Sequence, residues 1–374
     1  MTNPMMHPPP AATVTLTFER LRVRAVSVPL RRPVFAKVGT FHQWPLLLID
    51  VYTREGVIGH SYLEPHLPQC IPAIHRMLDI LADKLQGQAL APLDAYSEGM
   101  KALHLLGREG VSLIAISGLD MAIWDALARA CGLPLAALLG GQPGPVRAYN
   151  TTGLWLSPIE TLGAEAKALV AQGGFTALKM RLGRATVHED LQAIRCIRDA
   201  VGPDIHLMSD FNQSLTYAAA LHRLRALDDQ GIYWFEEPVV YDQPQRIADI
   251  TRQIQTPVQI GENIYGPRAF YQSVAAGTAD LYMPDLMRIG GVTGWMRAAA
   301  IAGAAGLPLS SHLYASVSSH LLRASETADW LEWSDWADPI LEHPCEVKDG
   351  VVHVADRPGN GIEWNEAAVA KYAI

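Results

Sequence analysis

The sequence predicts an α/β protein in two parts, a small α+β domain followed by a closed (β/α) barrel. Three observations carry that prediction. The chain has 374 residues, 49% of them hydrophobic, enough for a large core and more than one domain. In its first part, β-like runs come before helical patterns, the order of an α+β unit. From about Val146, short apolar runs alternate with amphipathic or alanine-rich stretches, which implies a parallel sheet. About eight such runs in roughly 200 residues fit a closed barrel better than a doubly wound sheet, and no GxGxxG follows a strand.

Taken in order, residues 1–13 are proline-rich and read as a flexible tail without an apolar signal core. Strands are expected at Thr17–Val28, Leu46–Tyr52 and Val57–Tyr62, with an apolar loop, Arg32–Phe41, between the first two. Helices are expected at Ile71–Gln86, Leu93–Leu106 and Ser112–Cys131, the last stopped by Gly132, Leu133 and Pro134. The expected divisions are an α+β domain at 14–140, a barrel at 141–345, and a segment at 346–374 that returns to the first domain. The barrel runs are VRAYNTTG, TALKMRLG, IHLMSDFN, IYWFEEP, PVQIGEN, ADLYMPD, LPLSSHL and DWLEW.

Composition narrows the partners. A net charge of −8 does not suit a nucleic-acid backbone or an anionic membrane. Four scattered cysteines without a CxxC argue against a disulfide framework or a zinc site and fit a reducing, cytoplasmic setting. No run of about 18 continuous apolar residues is present, so no membrane span is expected. A small molecule is the expected partner.

The ends of the barrel runs carry the chemistry. The third to eighth end in Asp210, Glu236, Glu262, Asp285, His312 and Glu332, at intervals of 26, 26, 23, 27 and 20 residues. Each could cap a helix or pair with a loop cation, but six polar residues in register at otherwise apolar strand ends are a poor structural choice. Strand C-termini of a barrel converge on one funnel. Asp210, Glu236 and Glu262 would form a hard, all-oxygen site suited to Mg²⁺ or Mn²⁺. Asn212 lies on the face of Asp210, whereas Glu237 and Asn263 should point elsewhere by strand alternation.

On the second run, Lys179 and Arg181 are two apart and share a face, so they could hold a substrate carboxylate beside the metal. His312 could bond Asp285 on the neighbouring run. The Asp would then fix the imidazole tautomer and make His312 a competent base. The bland alternatives are rim cations and a satisfied core histidine.

Those residues carry a resemblance to the mandelate racemase subgroup of the enolase superfamily. AISGLDMAIWDALARACGLPLAALLGG (115–141), SDFNQS, WFEEP, GEN, MPDLMRIGGVTGW, SSHL and DWLE follow in the family's order. The resemblance runs from about Val14 to the end of the chain. It implies an α+β capping domain over a modified TIM (β/α)7β-type barrel, usually assembled as a symmetric homo-oligomer, often an octamer. It implies Mg²⁺ on Asp210, Glu236 and Glu262, and a His312–Asp285 catalytic dyad. Lys179 would bind the substrate carboxylate, and Asn212 would contact substrate near a hydroxyl. Glu332 would hydrogen-bond the carboxylate as it becomes an enediolate, which needs a raised pKa for Glu332. Val34, Val38, Phe41, Tyr62 and Leu313 would form the specificity pocket.

Two departures matter. Arg181 stands where the family has a second lysine base, and a guanidinium effectively never deprotonates. Arg288 stands where some relatives carry a lysine base. Racemisation needs an acid/base on each face, whereas dehydration runs with one base that also protonates the leaving hydroxyl. The expected function is therefore Mg²⁺-dependent α-proton abstraction from a 2-hydroxy carboxylate, leading to dehydration of a 2,3-dihydroxy (sugar) acid. The alternatives are a mandelate-like racemase or epimerase, favoured by the apolar pocket loop, and a metal-binding barrel without turnover. Lys37 in that loop could meet a second carboxylate of a diacid or face water.

Overall fold

The computed structural model describes residues 14–374; the expected flexible tail, 1–13, lies outside them. The chain opens on a three-stranded antiparallel sheet of β1 (Phe18–Ala36), β2 (Gly39–Thr53) and β3 (Ile58–Leu63). The segment expected as a loop at Arg32–Phe41 is instead the far end of the β1–β2 hairpin, pairing Val34 with Phe41 and Ala36 with Gly39. Pro29 and Pro33 hid it: proline donates no ladder hydrogen bond, and the register slips between Pro29 and Val34.

Four helices follow: α1 (Ile71–Leu85), α2 (Pro92–Ala102), α3 (Val111–Ala130) and the short α4 (Leu135–Leu138). By length and composition α3 could cross a membrane, but it carries Asp120, Asp125 and Arg129 and 83% of its most apolar window is buried, in keeping with the expectation of no membrane span. It is instead the core helix of the domain, most of its residues buried against β2, β3, α1 and the barrel. Its seat depends on two close approaches. A Cβ on Gly59 of β3 would stand 2.0 Å from the Ala122 carbonyl, and one on Gly118 of α3 would stand 2.5 Å from Ile49. Only glycine lets sheet and helix meet so closely.

The barrel alternates β4 (Pro145–Asn150), α5 (Ile159–Gly173), β5 (Ala177–Arg181), α6 (Val187–Val201), β6 (His206–Asp210), α7 (Tyr217–Leu227), β7 (Ile232–Glu236), α8 (Pro244–Gln253), β8 (Val258–Ile260), α9 (Gly266–Ala275) and β9 (Leu281–Tyr282). Helices α10 (Leu286–Ile289), α11 (Gly291–Ala305) and α12 (Ala315–Arg323) precede β10 (Leu331–Trp333). Strands β4 to β9 are parallel neighbours, and β10 returns to pair with β4. The run LPLSSHL forms no regular strand. It closes the ring through single bridges, Leu309 to Tyr282 and to Ala328, and His312 to Asp285.

The chain then makes a hairpin, β11 (Val347–Lys348) and β12 (Val351–His353), against β4, and ends in α13 (Glu366–Lys371). Its last residues lie on the first sheet: Ile374 N–H donates to Ala25 (3.1 Å) and Trp364 Nε1 to Asp50 (2.6 Å).

One buried carboxylate joins the two units. Asp120 of α3 accepts from Thr293 of α11 twice, from its N–H at 2.9 Å and its hydroxyl at 2.6 Å. Burial pushes Asp120 up to about 7 despite those bonds. Removing it in Asp120→Ala orphans the buried Thr293 donors and should cost about 1–3 kcal/mol of stability. An acid raised in the folded state stabilises below its unfolded pKa of about 4, and that contribution fades as pH rises through about 7. Thermal unfolding of Asp120→Asn should therefore lose less Tm than wild type between pH 5 and 7.5; parallel pH curves would count against this.

Candidate active site

The site sits at the C-terminal mouth of the barrel, where three neighbouring strands end level. Arg181 pairs with Asp210 and Asp210 with Glu236 in the ladder. Glu262 follows two residues beyond β8. Carboxylate oxygens of Asp210, Glu236 and Glu262 all lie within 4.8 Å of one another. The backbone bends sharply around this mouth: Asn212, Gln213, Glu237, Leu313 and Tyr314 all have positive φ. Such strain in non-glycine residues concentrates where side chains must be aimed.

Lys179 is the centre of the charge network. Its Nζ lies 2.9 Å from Glu236, 2.5 Å from Glu332 and 3.9 Å from Asp210, and the residue is 1% exposed. Burial alone would lower the ammonium, but the carboxylates, Glu236 foremost, raise it above the ordinary lysine value. Arg181 places Nε 3.3 Å from Asp210, donates Nη2 to Thr151 at 3.2 Å, and lies over the Trp155 ring at 4.4 Å. Its charge is therefore already paired and stacked. Asn212 donates its N–H (2.6 Å) and its amide (2.8 Å) to Asp210.

At the other end of the carboxylate row stands His312. Its Nδ1 bonds Asp285 at 2.6 Å, and its Nε2 lies 3.1 Å from Glu262 and 3.8 Å from Glu332. Burial lowers His312, but Glu262, Glu332 and Asp285 outweigh it and carry it up to about 10. Asp285 also accepts from the N–H groups of Met287 and Arg288, so it caps α10 and orients the imidazole together. Arg288 donates to the Glu262 carbonyl at 3.0 Å and stands 3.7 Å from Asp285, behind the dyad.

Glu332 lies at the mouth as the sequence expects, between Lys179 and His312. Burial raises it, but Lys179, His312 and Arg181 outweigh that and hold it well below the ordinary glutamate value. It accepts from Leu313 N–H at 3.1 Å as well. Asn263 corrects the sequence expectation. Because Glu262 lies past the end of β8, strand alternation does not apply, and the Asn263 amide donates to both Glu262 (3.1 Å) and Glu237 (2.7 Å).

A cavity of about 260 Å³ opens over these groups. Val34, Val38, Phe41 and Leu313 line it, as do Lys179, Arg181, Asp210, Asn212, Glu262 and His312. Tyr62 does not; it is buried beneath, stacked on Tyr314 at 5.2 Å. Lys37 does not either; it is exposed at the tip of the β1–β2 hairpin. What sequence reasoning missed is the aromatic wall of Trp44, Trp155 and Trp336, together with His66 and Gln213. Trp44 packs on Trp336 at 4.3 Å and donates Nε1 to the buried Glu64 at 2.6 Å. Burial and then Arg288 push His66 down to about 4, so it is neutral. Trp155 and Trp336 follow the first and last barrel runs, and that position after a strand was the available signal.

The donor set fits a divalent cation. Asp210, Glu236, Glu262, Asp285 and Glu332 outnumber the permanent cations Lys179, Arg181 and Arg288 at this mouth. Glu236 shows the strain of that excess: burial, Asp210 and Glu262 hold it raised, to about 8, against Lys179. Oxygen-only ligands without a sulfur favour Mg²⁺ over zinc.

Comparison with known proteins agrees with this layout. Residues 19–140 match the mandelate racemase / muconate lactonizing enzyme N-terminal domain, and residues 161–368 match the enolase C-terminal domain-like family. An enolase structure from alpha pretobacterium bal199 with bound magnesium is 50% identical, with a TM-score of 0.95, covering 96% of this chain and 100% of that one. An enolase from Bradyrhizobium complexed with magnesium and mandelic acid is 39% identical, with a TM-score of 0.93 and coverage of 97% and 99%. The L-talarate/galactarate dehydratase of Salmonella typhimurium is 29% identical over 94% of this chain and 89% of its own.

Titration of the EDTA-treated protein with Mg²⁺ should show one saturable site. Glu236→Ala or Asp210→Ala should abolish it, whereas Glu64→Ala, which only frees Trp44, should leave it intact. Retention of Mg²⁺ by both carboxylate variants would place the ion elsewhere.

Proposed function

The chain belongs to the mandelate racemase and muconate lactonizing enzyme family of the enolase superfamily, and from that premise we propose that it is a Mg²⁺-dependent hydro-lyase acting on a 2,3-dihydroxy acid. One observation carries the reading: the row of three carboxylates has a base at one end only. His312, oriented by Asp285, stands beside Glu262. At the Asp210 end stands Arg181, its guanidinium paired with Asp210, a group that binds anions rather than taking protons.

Asp210, Glu236 and Glu262 would hold Mg²⁺, which when bound neutralises their charge and stabilises the negative charge developing on the substrate carboxylate oxygens. With the charge of Glu262 so cancelled, burial favours the neutral imidazole of His312, whose Nε2 takes the α-proton as the electron pair moves onto the carboxylate. Lys179 offers its ammonium to those oxygens where charge builds. Glu332, bonded to Lys179 and the Leu313 N–H, holds the lysine and faces the imidazole. The electron pair then returns, the bond from C3 to its hydroxyl breaks, and His312 gives its proton to the leaving oxygen as water. The enol left behind tautomerises to a 2-keto acid. Atoms balance without an oxidant or a second base. Asn212, fixed by Asp210, is placed to contact a substrate hydroxyl.

The wall narrows the substrate. The space beyond the reacting carbons is lined by Phe41, Trp44, Trp155 and Trp336, His66 is neutral, and Lys37 is outside. Among the described residues, the cavity's cations Lys179, Arg181 and Arg288 are each already paired with a carboxylate, so monocarboxylic acids suit the cavity better than diacids. The same wall favours a second reading, racemisation of an aryl 2-hydroxy acid, and the Bradyrhizobium relative holds mandelic acid. That reading asks Arg181 to act as a base. The reading further takes the protein as a cytoplasmic homo-oligomer, consistent with four free cysteines.

Incubation with a library of mono- and dicarboxylic sugar acids should yield a 2-keto acid, detected as its semicarbazone. His312→Asn should lower that rate by about 10²–10⁴-fold, the usual contribution of a general base. Racemised aryl 2-hydroxy acid with no keto acid from any member would favour the second reading.

A further inference from the structure

A second cleft, of about 800 Å³, lies where α2 and the segment after it meet α9 and α11, and it shares no lining residue with the active-site cavity. Four basic side chains face it, from both units of the chain: Lys101 and Arg108 from the capping domain, Arg268 and Arg297 from the barrel. Among the described residues no carboxylate lines it, though the buried Asp120 is near enough to Arg297 and Tyr96 to interact with both. Among the described residues, Arg108, Arg268 and Arg297 make no ion pair or side-chain hydrogen bond, and Lys101 has only an exposed contact to Glu98 at 3.3 Å. Arg297 rests over the ring of Tyr96 at 4.9 Å. Tyr271, 60% exposed, presents an unpaired ring to the same space.

That concentration is unusual in a chain whose acids exceed its bases by eight. Like charges gathered at a domain junction repel one another unless a counter-charge joins them. Guanidinium groups match phosphate oxygens two at a time, and an exposed tyrosine ring offers a face to a planar heterocycle. The volume falls within the range of small-molecule sites and exceeds what a sugar acid would fill. We infer that this cleft binds a nucleoside phosphate, its phosphates held by Arg108, Arg268 and Arg297 and its base against Tyr271.

Calorimetric titration of the full chain, stripped of divalent ions, tests this with ADP, inorganic tripolyphosphate and adenosine as probes. Wild type should bind ADP saturably, tripolyphosphate less tightly and adenosine least, with ADP affinity falling as KCl rises. The double variant R268A/R297A should lose about tenfold or more in ADP affinity, the scale of a lost charge-assisted hydrogen bond, while its keto-acid formation and Mg²⁺ binding stay unchanged. Tyr271→Ala should bring ADP down to the affinity of tripolyphosphate. The proposal is overturned if wild type binds none of the probes, or if the double variant binds ADP as wild type does. It is also overturned if the double variant changes sedimentation behaviour while wild type ignores ADP; the cleft would then belong to an interface between copies.

Discussion

Everything at the barrel mouth depends on one shared ion pair, the Lys179 ammonium held between Glu236 and Glu332. All three side chains are essentially removed from water. An unpaired charge in such a place costs several kcal/mol, so no member can be removed without exposing the others to that cost. Lys179 pairs with Glu332, Glu332 faces His312, and Asp285 locks the other side of the imidazole. The geometry of the base is thus fixed by a chain of charges that begins two strands away. The residual excess of negative charge lies on Asp210, Glu236 and Glu262, where a divalent cation fits.

Among the described residues the first domain supplies no member of the carboxylate row or the dyad, but it decides what surrounds them. The β1–β2 hairpin brings Val34, Val38 and Phe41 over the mouth, and Glu64 fixes Trp44 against Trp336 of the barrel. That contact crosses between the units, as does Asp120 to Thr293 on the far side of α3. Chemistry and selectivity are therefore separable: barrel strand ends set the first, and the hairpin with the loops after the first and last strands sets the second.

How much of this was legible follows from where each residue sits. Asp210, Glu236, Glu262, Asp285, His312 and Glu332 could be read because a polar residue at the end of an apolar run, repeated at the spacing of one βα unit, has no cheap structural explanation. Periodicity likewise located α3 within a residue at each end. Of the two readings open for Lys37 it takes the one facing water, and Tyr62 was misplaced because composition does not say which face of β3 turns inward. Asn263 escaped because alternation fails once the chain leaves the strand. The closeness of Glu332 to Lys179 is a tertiary fact that the sequence did not show. The tryptophans of the wall come from three separate loops and strands, and nothing local links them.

The central claim is that only one face of the substrate meets a base. The direct measurement is α-proton exchange in D₂O, followed by NMR, on each enantiomer of a 2-hydroxy acid that lacks a β-hydroxyl and so cannot dehydrate. With Mg²⁺ present, exchange should occur from one enantiomer alone and vanish in His312→Asn. Exchange from both enantiomers would show a second working base at the Arg181 end and contradict the account.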